Sequence, residues 1–152
     1  MTKNTEPVEF EVLWADLDIN GHVRHTVYGD WAGEARHRAL AAGGIRPGHL
    51  EAKGVGPVLI REEARYLREI RALDSVRVVT KLAGLSEDHS RWRMKHEIYR
   101  RDGELAARIT VEGTWLDLEK RRPTVPPPEF QVLDDVLERS DRYETLKSLV
   151  RS

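Results

Sequence analysis

Hydrophobic and polar residues alternate over five stretches of the chain, which is the pattern of a half-buried β-strand. The first stretch runs from Val8 to Trp14 and ends at a loop rich in Asp, Asn and Gly. The other predicted strands are residues 58–66, 76–82, 91–98 and 105–118. Asp102–Gly103 predicts a tight hairpin between the last two of them.

Between the first and second strands the apolar period lengthens to three and four residues, which indicates one face of a helix over residues 26–42. Its apolar positions are Tyr28, Trp31, Ala32, Ala35 and Ala39. We expect Thr26 as the N-cap and Gly43–Gly44 as the stop signal. Residues 45–54 contain a proline and two further glycines, and they are predicted to form a loop.

Prolines at 123 and 126–128 end the region of strands, because proline cannot donate to a sheet. The spacing of the apolar residues that follow predicts a C-terminal helical extension over residues 128–152. Those residues are Phe130, Leu133, Val136, Leu137, Tyr143, Leu146 and Leu149. We therefore predict an α+β protein with a disordered start over residues 1–6 and one domain over residues 7–127. A sheet wrapped around the first helix and a generic α+β domain fit this order equally well.

The composition narrows the classes of function. The 152 residues fit one domain that can bury a core without covalent staples. The absence of cysteine excludes disulfides, thiolate metal sites and a cysteine nucleophile. A formal net charge of −1 argues against a general nucleic-acid binder. Without an apolar run of membrane-spanning length or an apolar signal core near Met1, we expect a cytoplasmic protein with no membrane partner.

Candidate chemistry is concentrated between the first strand and the helix. Asp16, Asp18, Asn20 and His22 place two carboxylates, an amide and an imidazole within seven residues. Loops on rigid scaffolds often carry function. For Asp16 we favour a structural role, because aspartates in turns usually accept local hydrogen bonds.

Three other interpretations fit part of this segment. Asn20–Gly21 is a favoured hairpin dipeptide, although a helical pattern follows it. The spacing of Asp16, Asp18, Asn20 and Gly21 matches half of an EF-hand loop, but Val27 stands where calcium needs a bidentate Glu. His22 and His25 have workable metal-ligand spacing without an evident third ligand. We predict no metal.

The segment resembles the hotdog-fold acyl-CoA and acyl-ACP thioesterases of the 4-hydroxybenzoyl-CoA thioesterase type. The resemblance rests on Asp18, Gly21, His22, Val23, Tyr28 and Trp31. Asp18, Asn20 and His22 also match the D-x-N-x-H triplet of the acyl-ACP branch, and the order of strands matches the hotdog order. Arg24 and His25 depart from the family's Asn-Asn. The resemblance implies a curved five-stranded antiparallel sheet around a central helix.

The resemblance also implies an acyl thioesterase that uses no cofactor, with coenzyme A entering only as part of the substrate. Asp18 would act as general base or as nucleophile, while Asn20 would orient water or polarise the carbonyl. His22 would share the proton traffic, and the backbone N–H of His25 would donate to the oxyanion. Glu69 is a further candidate, although its spacing to the next strand is one residue longer than in the family.

Substrate-binding residues are predicted in two regions. Tyr28 and Trp31 would line an acyl tunnel, although helical spacing fits an ordinary core equally well. Arg121 and Arg122 would bind the phosphates of coenzyme A, because guanidinium matches phosphate as a bidentate fork. The substrate would be an acyl-CoA or an acyl-ACP. The resemblance further implies a homodimer or homotetramer with its sites at subunit interfaces.

Two alternatives to a thioesterase remain open from the sequence. Hotdog hydratases and dehydratases also use an Asp–Asn–His group, but with a proline where Gly21 stands and one more residue before the histidine. A non-catalytic acyl-CoA-binding module would retain the acyl tunnel and lose the chemistry. The intact Asp18–Asn20–His22 set favours hydrolysis over both.

Overall fold

A computed structural model describes Lys3 and residues 6–151 of the chain. The strands are β1 Val8–Glu11, β2 Val55–Tyr66, β3 Ser75–Ser86, β4 Arg91–Arg100, β5 Leu105–Asp117, β6 Arg122–Pro123 and β7 Arg139–Leu146. The helices are α1 His25–Ala42, α2 Pro47–Lys53 and α3 Leu133–Val136, with short 3-10 turns at Trp14–Asp16 and Pro128–Phe130. The predicted disorder over residues 1–6 lies mostly outside the described residues.

Five strands form the main path of the sheet in the order β1-β3-β4-β5-β2, and every neighbouring pair in that path is antiparallel. The sheet curls around α1, so the predicted α+β hotdog architecture is confirmed. β6 extends the edge of β5, and β7 adds to β3 in the parallel direction. β2 stands at the end of the path, and among the described strands only β5 pairs with it.

The core lies between α1 and the inner face of the sheet. Along β4 the buried positions alternate with half-buried ones, so that Trp92, Met94, His96 and Ile98 point toward the helix. Gly113 of β5 lies beneath the Trp92 ring, and a Cβ at this position would overlap that ring. The alternation that predicted the strands therefore also identifies their core faces.

The start of α1 differs in detail from the prediction. Arg24 occupies the N-cap position with an extended backbone, and its side chain makes no cap hydrogen bond. The Thr26 hydroxyl lies inside the first turn and accepts a hydrogen bond from Arg24 Nε at 3.0 Å. Thr26 is therefore not the N-cap. The predicted stop is confirmed, because Gly43 is the C-cap.

α2 corrects the loop predicted over residues 45–54. Pro47 occupies the first turn of this helix, and Gly54 follows it in the left-handed conformation with φ of 67°. Proline at a helix start and glycine just after its end are ordinary helix punctuation. Read together, these residues signal a short helix instead of a loop.

The C-terminal helical extension predicted over residues 128–152 is wrong for most of its length. Only Leu133–Val136 is α-helical, and Arg139–Leu146 forms a strand. β1 pairs with β3 only as far as Val78, which leaves the second half of that edge to β7, over Leu82–Ser86. Unpaired backbone groups at this free edge favour another strand, and this outweighs the helical spacing of the segment.

Within the described residues, no helix combines the length and the apolar character that crossing a membrane would require.

Candidate active site

The loop after β1 forms a tight turn closed around the carboxylate of Asp18. The backbone N–H groups of Asn20 and His22 donate to Asp18 Oδ1 at 2.8 Å and 3.1 Å. The N–H of Gly21 donates to the Asp18 carbonyl at 3.1 Å, and Gly21 has φ of 74°. The turn thus needs a residue at position 21 that tolerates the left-handed region, and glycine does so without strain.

This turn is a miniature hairpin that leads directly into α1. Leu17 and Val23 form an antiparallel bridge across it, and His22 forms another bridge with Arg71. The N–H of Val23 donates to the carbonyl of Ile70 at 2.7 Å. The hairpin suggested by Asn20–Gly21 and the helix suggested by the apolar spacing are therefore both present.

An open cleft of about 340 Å³ lies beside the turn. It is lined by Asp18, His22, Val23, His25, Tyr28, Tyr66, Leu67, Arg68 and Glu69. The fold thus brings Asp18, His22, His25, Tyr28 and Glu69 together, as the sequence predicted for a site. Asn20 and Trp31 do not line this cleft.

Only one of the two carboxylate oxygens of Asp18 is occupied within the described residues. Oδ1 accepts the two turn amides, whereas Oδ2 accepts no hydrogen bond from them. Asp18 itself is part of the cleft lining. The turn therefore fixes the carboxylate and leaves an oxygen free to meet a water or a carbonyl carbon.

The N-terminus of α1 provides backbone donors at the same cleft. His25 is the first helical residue, and the N–H of Val27 already donates to the Arg24 carbonyl at 3.1 Å. The amide of a first helical residue has no acceptor inside its helix. Together with the helix dipole, such amides favour a negatively charged oxygen.

Two tyrosines form the inner wall of the cleft. The rings of Tyr28 and Tyr66 meet edge to face at 5.2 Å, and the Tyr66 hydroxyl donates to the His25 carbonyl at 3.5 Å. Burial, followed by the charges of Tyr66, Asp18 and Glu69, raises the pKa of Tyr28 to about 12. Tyr28 is therefore a neutral wall of the site. Tyr66 was missed as a site residue, although its alternation along β2 with Glu62 and Ala64 places it on the inner face.

Glu69 lies at the rim of the cleft as a charged group. Its own backbone N–H, and then the Arg71 side chain at 3.4 Å, hold the pKa of this carboxyl below its usual range. Its carbonyl accepts a hydrogen bond from Arg100 Nη1 at 3.1 Å. These contacts anchor Glu69 beside His22, whose charge also lowers the pKa of Glu69.

Trp31 belongs to the core. Its ring stacks on Phe10 at 6.0 Å and meets Tyr28 edge to face at 5.8 Å. Only 6% of the residue is exposed. Trp31 therefore supports Tyr28 from behind, which is the ordinary core role that helical spacing also indicated.

Arg121 and Arg122 lie at the opposite end of the sheet from Asp18. Tyr66 pairs with Ala107 at the start of β5, whereas Arg122 pairs with Asp117 at its end. Ten residues of strand span roughly 33 Å. Arg122, Lys120 and Arg151 help to line a separate cavity of about 730 Å³, to which Arg121 does not contribute.

The neighbouring Asp16 has a structural role, as predicted. Its Oδ2 accepts the Leu13 N–H at 2.8 Å, and its carbonyl accepts the Arg24 N–H at 2.8 Å. Within Lys3 and residues 6–151, no group of three His, Asp or Glu side chains is arranged to bind a metal ion.

The sequence matches a family model across most of the site and the sheet. The model describes the thioesterase-like superfamily, and it matches residues 12–133. The chain belongs to this superfamily. The predicted family and the predicted hotdog fold are thereby confirmed, and the thioesterase assignment rests on the same membership.

Solved structures support the fold of this superfamily member. A Staphylococcus aureus protein solved with CoA is 20% identical, with a TM-score of 0.79 over 88% of this chain and 83% of its own. A 1,4-dihydroxy-2-naphthoyl-CoA thioesterase from Synechocystis is 19% identical, with a TM-score of 0.76 over 86% and 95%. A gentisyl-coenzyme A thioesterase is 21% identical, with a TM-score of 0.72 over 84% and 100%. A comparison with curated proteins gave no match.

Proposed function

We propose that this protein hydrolyses an acyl-CoA thioester to a free acid and coenzyme A, with Asp18 as the central catalytic group. The observation that carries the proposal is the half-satisfied carboxylate of Asp18, which shares one cleft with the first amides of α1. Superfamily membership and the naming of similar structures as CoA thioesterases support this class of substrate.

In this proposal, two elements of the cleft share the work of thioester hydrolysis. The substrate carbonyl oxygen would accept the His25 N–H, so that charge developing on it meets the positive end of α1. Asp18 Oδ2 would take a proton from water or attack the carbonyl carbon itself. Attack by water gives the acid directly, whereas attack by Asp18 gives a mixed anhydride that water then opens. Either route expels the CoA thiolate, which takes up a proton.

We propose supporting roles in catalysis for the other predicted polar residues. His22 lines the same cleft as Asp18 and Glu69 and would carry protons between the site and solvent. Asn20 lies on the exposed outer side of the turn, where its backbone N–H is the group that contacts Asp18. We therefore propose a catalytic role for His22 and an indirect role for the Asn20 side chain.

We favour coenzyme A as the thiol carrier of the substrate. We further propose that a second copy of the chain contributes to its binding. β2 is a long edge strand with Leu59 and Ile60 exposed, and such edges pair readily with another strand. Antiparallel pairing of two β2 strands around a two-fold axis would set Tyr66 of one copy near Val55 of the other. Because Val55 pairs with Asp117, Arg121 and Arg122, which follow the end of β5, would reach the neighbouring site.

This arrangement predicts that Arg121 and Arg122 act on the site of the other subunit. We expect Arg121→Ala with Arg122→Ala to raise KM for acyl-CoA about tenfold, because lost phosphate contacts weaken binding more than chemistry. Mixing and refolding this variant with Asp18→Ala would then restore activity at the original KM, since each mixed dimer has one intact site. An unchanged KM, or no recovery on mixing, contradicts this part of the proposal.

The test of the function is release of free thiol from acyl-CoAs of short, medium and long chain and from an aromatic acyl-CoA. Wild type should release thiol, and Asp18→Ala should reduce kcat/KM by at least about 10²-fold. If wild type releases none, the same panel on acyl carrier protein, and then enoyl-CoA hydration, distinguishes the remaining alternatives. Passive acyl binding would be the last of these.

A further inference from the structure

Arg24 begins α1 with a charge that does not suit this end of a helix. It occupies the N-cap position with an extended backbone, and its carbonyl accepts the Val27 N–H at 3.1 Å. No acidic residue lies in the first turn of the helix. A cation is unfavourable near the positive end of the helix dipole, so an arginine here costs helix stability unless its side chain forms compensating contacts.

The guanidinium of Arg24 makes such contacts on both sides of the Asp18 turn. Nε donates to the Thr26 hydroxyl at 3.0 Å, and Nη1 donates to the Ala15 carbonyl. The backbone N–H of Arg24 donates to the Asp16 carbonyl at 2.8 Å. Backbone and side chain of one residue therefore join the 3-10 turn before Asp18 to the first turn of α1.

No other residue makes this connection by hydrogen bonding within the described part of the chain. Every hydrogen bond there between residues 13–17 and residues 24–42 involves Arg24. The Asp18 turn lies between these two segments and closes on itself, because the Asp18 N–H donates to the His22 carbonyl at 2.7 Å. Arg24 is therefore the hydrogen-bonded link between the turn and the helix.

The position of the turn relative to the helix matters for the proposed reaction. Asp18 Oδ2 must reach the carbonyl carbon or its water while the His25 N–H holds the carbonyl oxygen. The first group belongs to the turn and the second to α1, so their separation depends on the link between these two elements. A misplacement of about 1 Å can cost about 10²-fold in rate.

We propose that Arg24 is a positioning residue, which holds the Asp18 carboxylate at the working distance from the His25 amide. The inference rests on the thioesterase function proposed above and adds a residue to that site. Arg24 does not line the cleft, so it acts through the turn and the helix and not on the substrate. Its two side-chain contacts use separate nitrogens of a planar fork, which the single ammonium of lysine does not reproduce.

Three roles for this side chain predict different kinetics. A residue that binds substrate would change KM, whereas a merely structural residue would change stability and leave the kcat of folded molecules unaltered. A positioning residue lowers kcat at nearly constant KM. Stability should change little on replacing Arg24, because the loss of two hydrogen bonds is offset by relief of the unfavourable charge at the helix end.

The test compares Arg24→Met and Arg24→Lys with Arg46→Met on an acyl-CoA that wild type hydrolyses. Arg46 is the matched control, because it occupies the N-cap position of α2 with an extended backbone and its side chain makes no cap hydrogen bond. We expect both Arg24 variants to lower kcat about tenfold and to keep KM within about twofold, since the reacting groups remain but are held less firmly. Arg46→Met should match wild type.

Amide hydrogen exchange on the same proteins tests the link without relying on activity. The N–H groups of Leu17 and Asp18 bond to carbonyls within this segment at 3.3 Å and 2.7 Å, and both should exchange about tenfold faster in Arg24→Met. Exchange in Arg46→Met should equal that of wild type. If wild type hydrolyses no acyl-CoA, the proposed function fails, while exchange still decides whether Arg24 holds the turn.

An unchanged kcat in Arg24→Met overturns the inference, and so does unchanged amide exchange. Full activity in Arg24→Lys overturns it too, because the fork of donors would then be unnecessary. A raised KM at constant kcat would make Arg24 a binding residue, and a loss of stability at constant kcat would make it purely structural. Should Arg24→Met fail to fold, Thr26→Val removes only the hydroxyl that Nε contacts and must lower kcat, and an unchanged kcat in that variant overturns the inference.

Discussion

Two turns of this protein are built around an aspartate with the same local hydrogen bond, yet the two carboxylates differ in how many other hydrogen bonds they accept. In each, Oδ1 accepts the backbone N–H two residues on, from Asn20 to Asp18 at 2.8 Å and from Ser90 to Asp88 at 3.0 Å. The Asp18 turn follows β1, and the Asp88 turn joins β3 to β4. Their local hydrogen bonding is thus the ordinary aspartate turn.

The difference lies in the rest of each carboxylate. Asp88 Oδ1 also accepts from the hydroxyls of Ser86 and Ser90 at 2.7 Å and 2.6 Å, and Oδ2 accepts from Ser148 at 2.5 Å. Partial burial alone would raise the pKa of Asp88, but these hydroxyls lower it to about 2. Asp88 is therefore saturated, and it ties the C-terminal segment to the turn between β3 and β4.

Asp18 keeps an oxygen without a partner in the described structure and lies in a cleft beside the positive end of α1. A turn aspartate thus becomes a candidate for chemistry when the fold leaves part of its carboxylate without hydrogen bonds. A saturated carboxylate contributes stability, whereas an unsaturated one at a cleft can contribute to a reaction.

Activity should distinguish the two turns most strongly, when Asp18 is replaced. Asp18→Asn should lower kcat/KM by about 10²- to 10⁴-fold, because an amide is neither a base nor a nucleophile. Its oxygen still accepts the two turn amides, so the free energy of unfolding should change by less than about 0.5 kcal/mol. Acyl-CoA kinetics and chemical denaturation of the same preparation provide the measurement. A large loss of stability would show that Asp18 is structural, like Asp88.

The reciprocal substitution, Asp88→Asn, should affect stability instead. An amide nitrogen cannot accept the Ser148 hydroxyl, and charge-assisted hydrogen bonds to the serines are lost, so we expect about 2 to 3 kcal/mol of destabilisation. The kcat/KM of the folded protein should stay within about twofold of wild type. Urea denaturation gives the first quantity. A variant as stable as wild type would mean that the serine cluster does not hold the C-terminal segment.

A smaller change is predicted for the free energy of unfolding when the Asp88 turn is exposed to acid. Because the pKa of Asp88 is depressed to about 2 in the folded protein, its contribution is full above its ordinary value of 3.8 and is lost as pH falls toward 2. After a discount for partial exposure we expect about 1 to 2 kcal/mol over that window. Ser148→Ala should flatten this part of the profile relative to wild type. Identical slopes for the two proteins between pH 4 and pH 2 would contradict the proposed cause.

The candidate site shows how many of its residues can be predicted from patterns in the sequence. Asp18, His22, His25, Tyr28 and Glu69 were named from spacing and resemblance, and the fold brings all five to one cleft. Trp31 shares the helical spacing of Tyr28, but burial separates the two. Arg121 and Arg122 are predicted at the site, but strand pairing places Arg122 at the opposite end of the sheet in the same subunit.

The elements that sequence reasoning missed were settled by long-range pairing. Judged from local spacing alone, Tyr143, Leu146 and Leu149 fit a helix. β7 exists because the edge of β3 beyond Val78 was unoccupied, and unpaired backbone groups there favour another strand.

Local patterns in the sequence are enough to predict the alternation of the five main strands, the apolar face of α1 and the turn chemistry between Asp16 and His22. Each of these depends on residues close together along the chain, so periodicity and turn preferences are sufficient. Three features depend instead on how the chain folds: which carboxylate oxygens stay free, the contact of Arg36 with His96, and the strand formed by Arg139–Leu146. Those outcomes depend on groups up to 60 residues apart, such as Asp88 and Ser148, whose meeting no local pattern records.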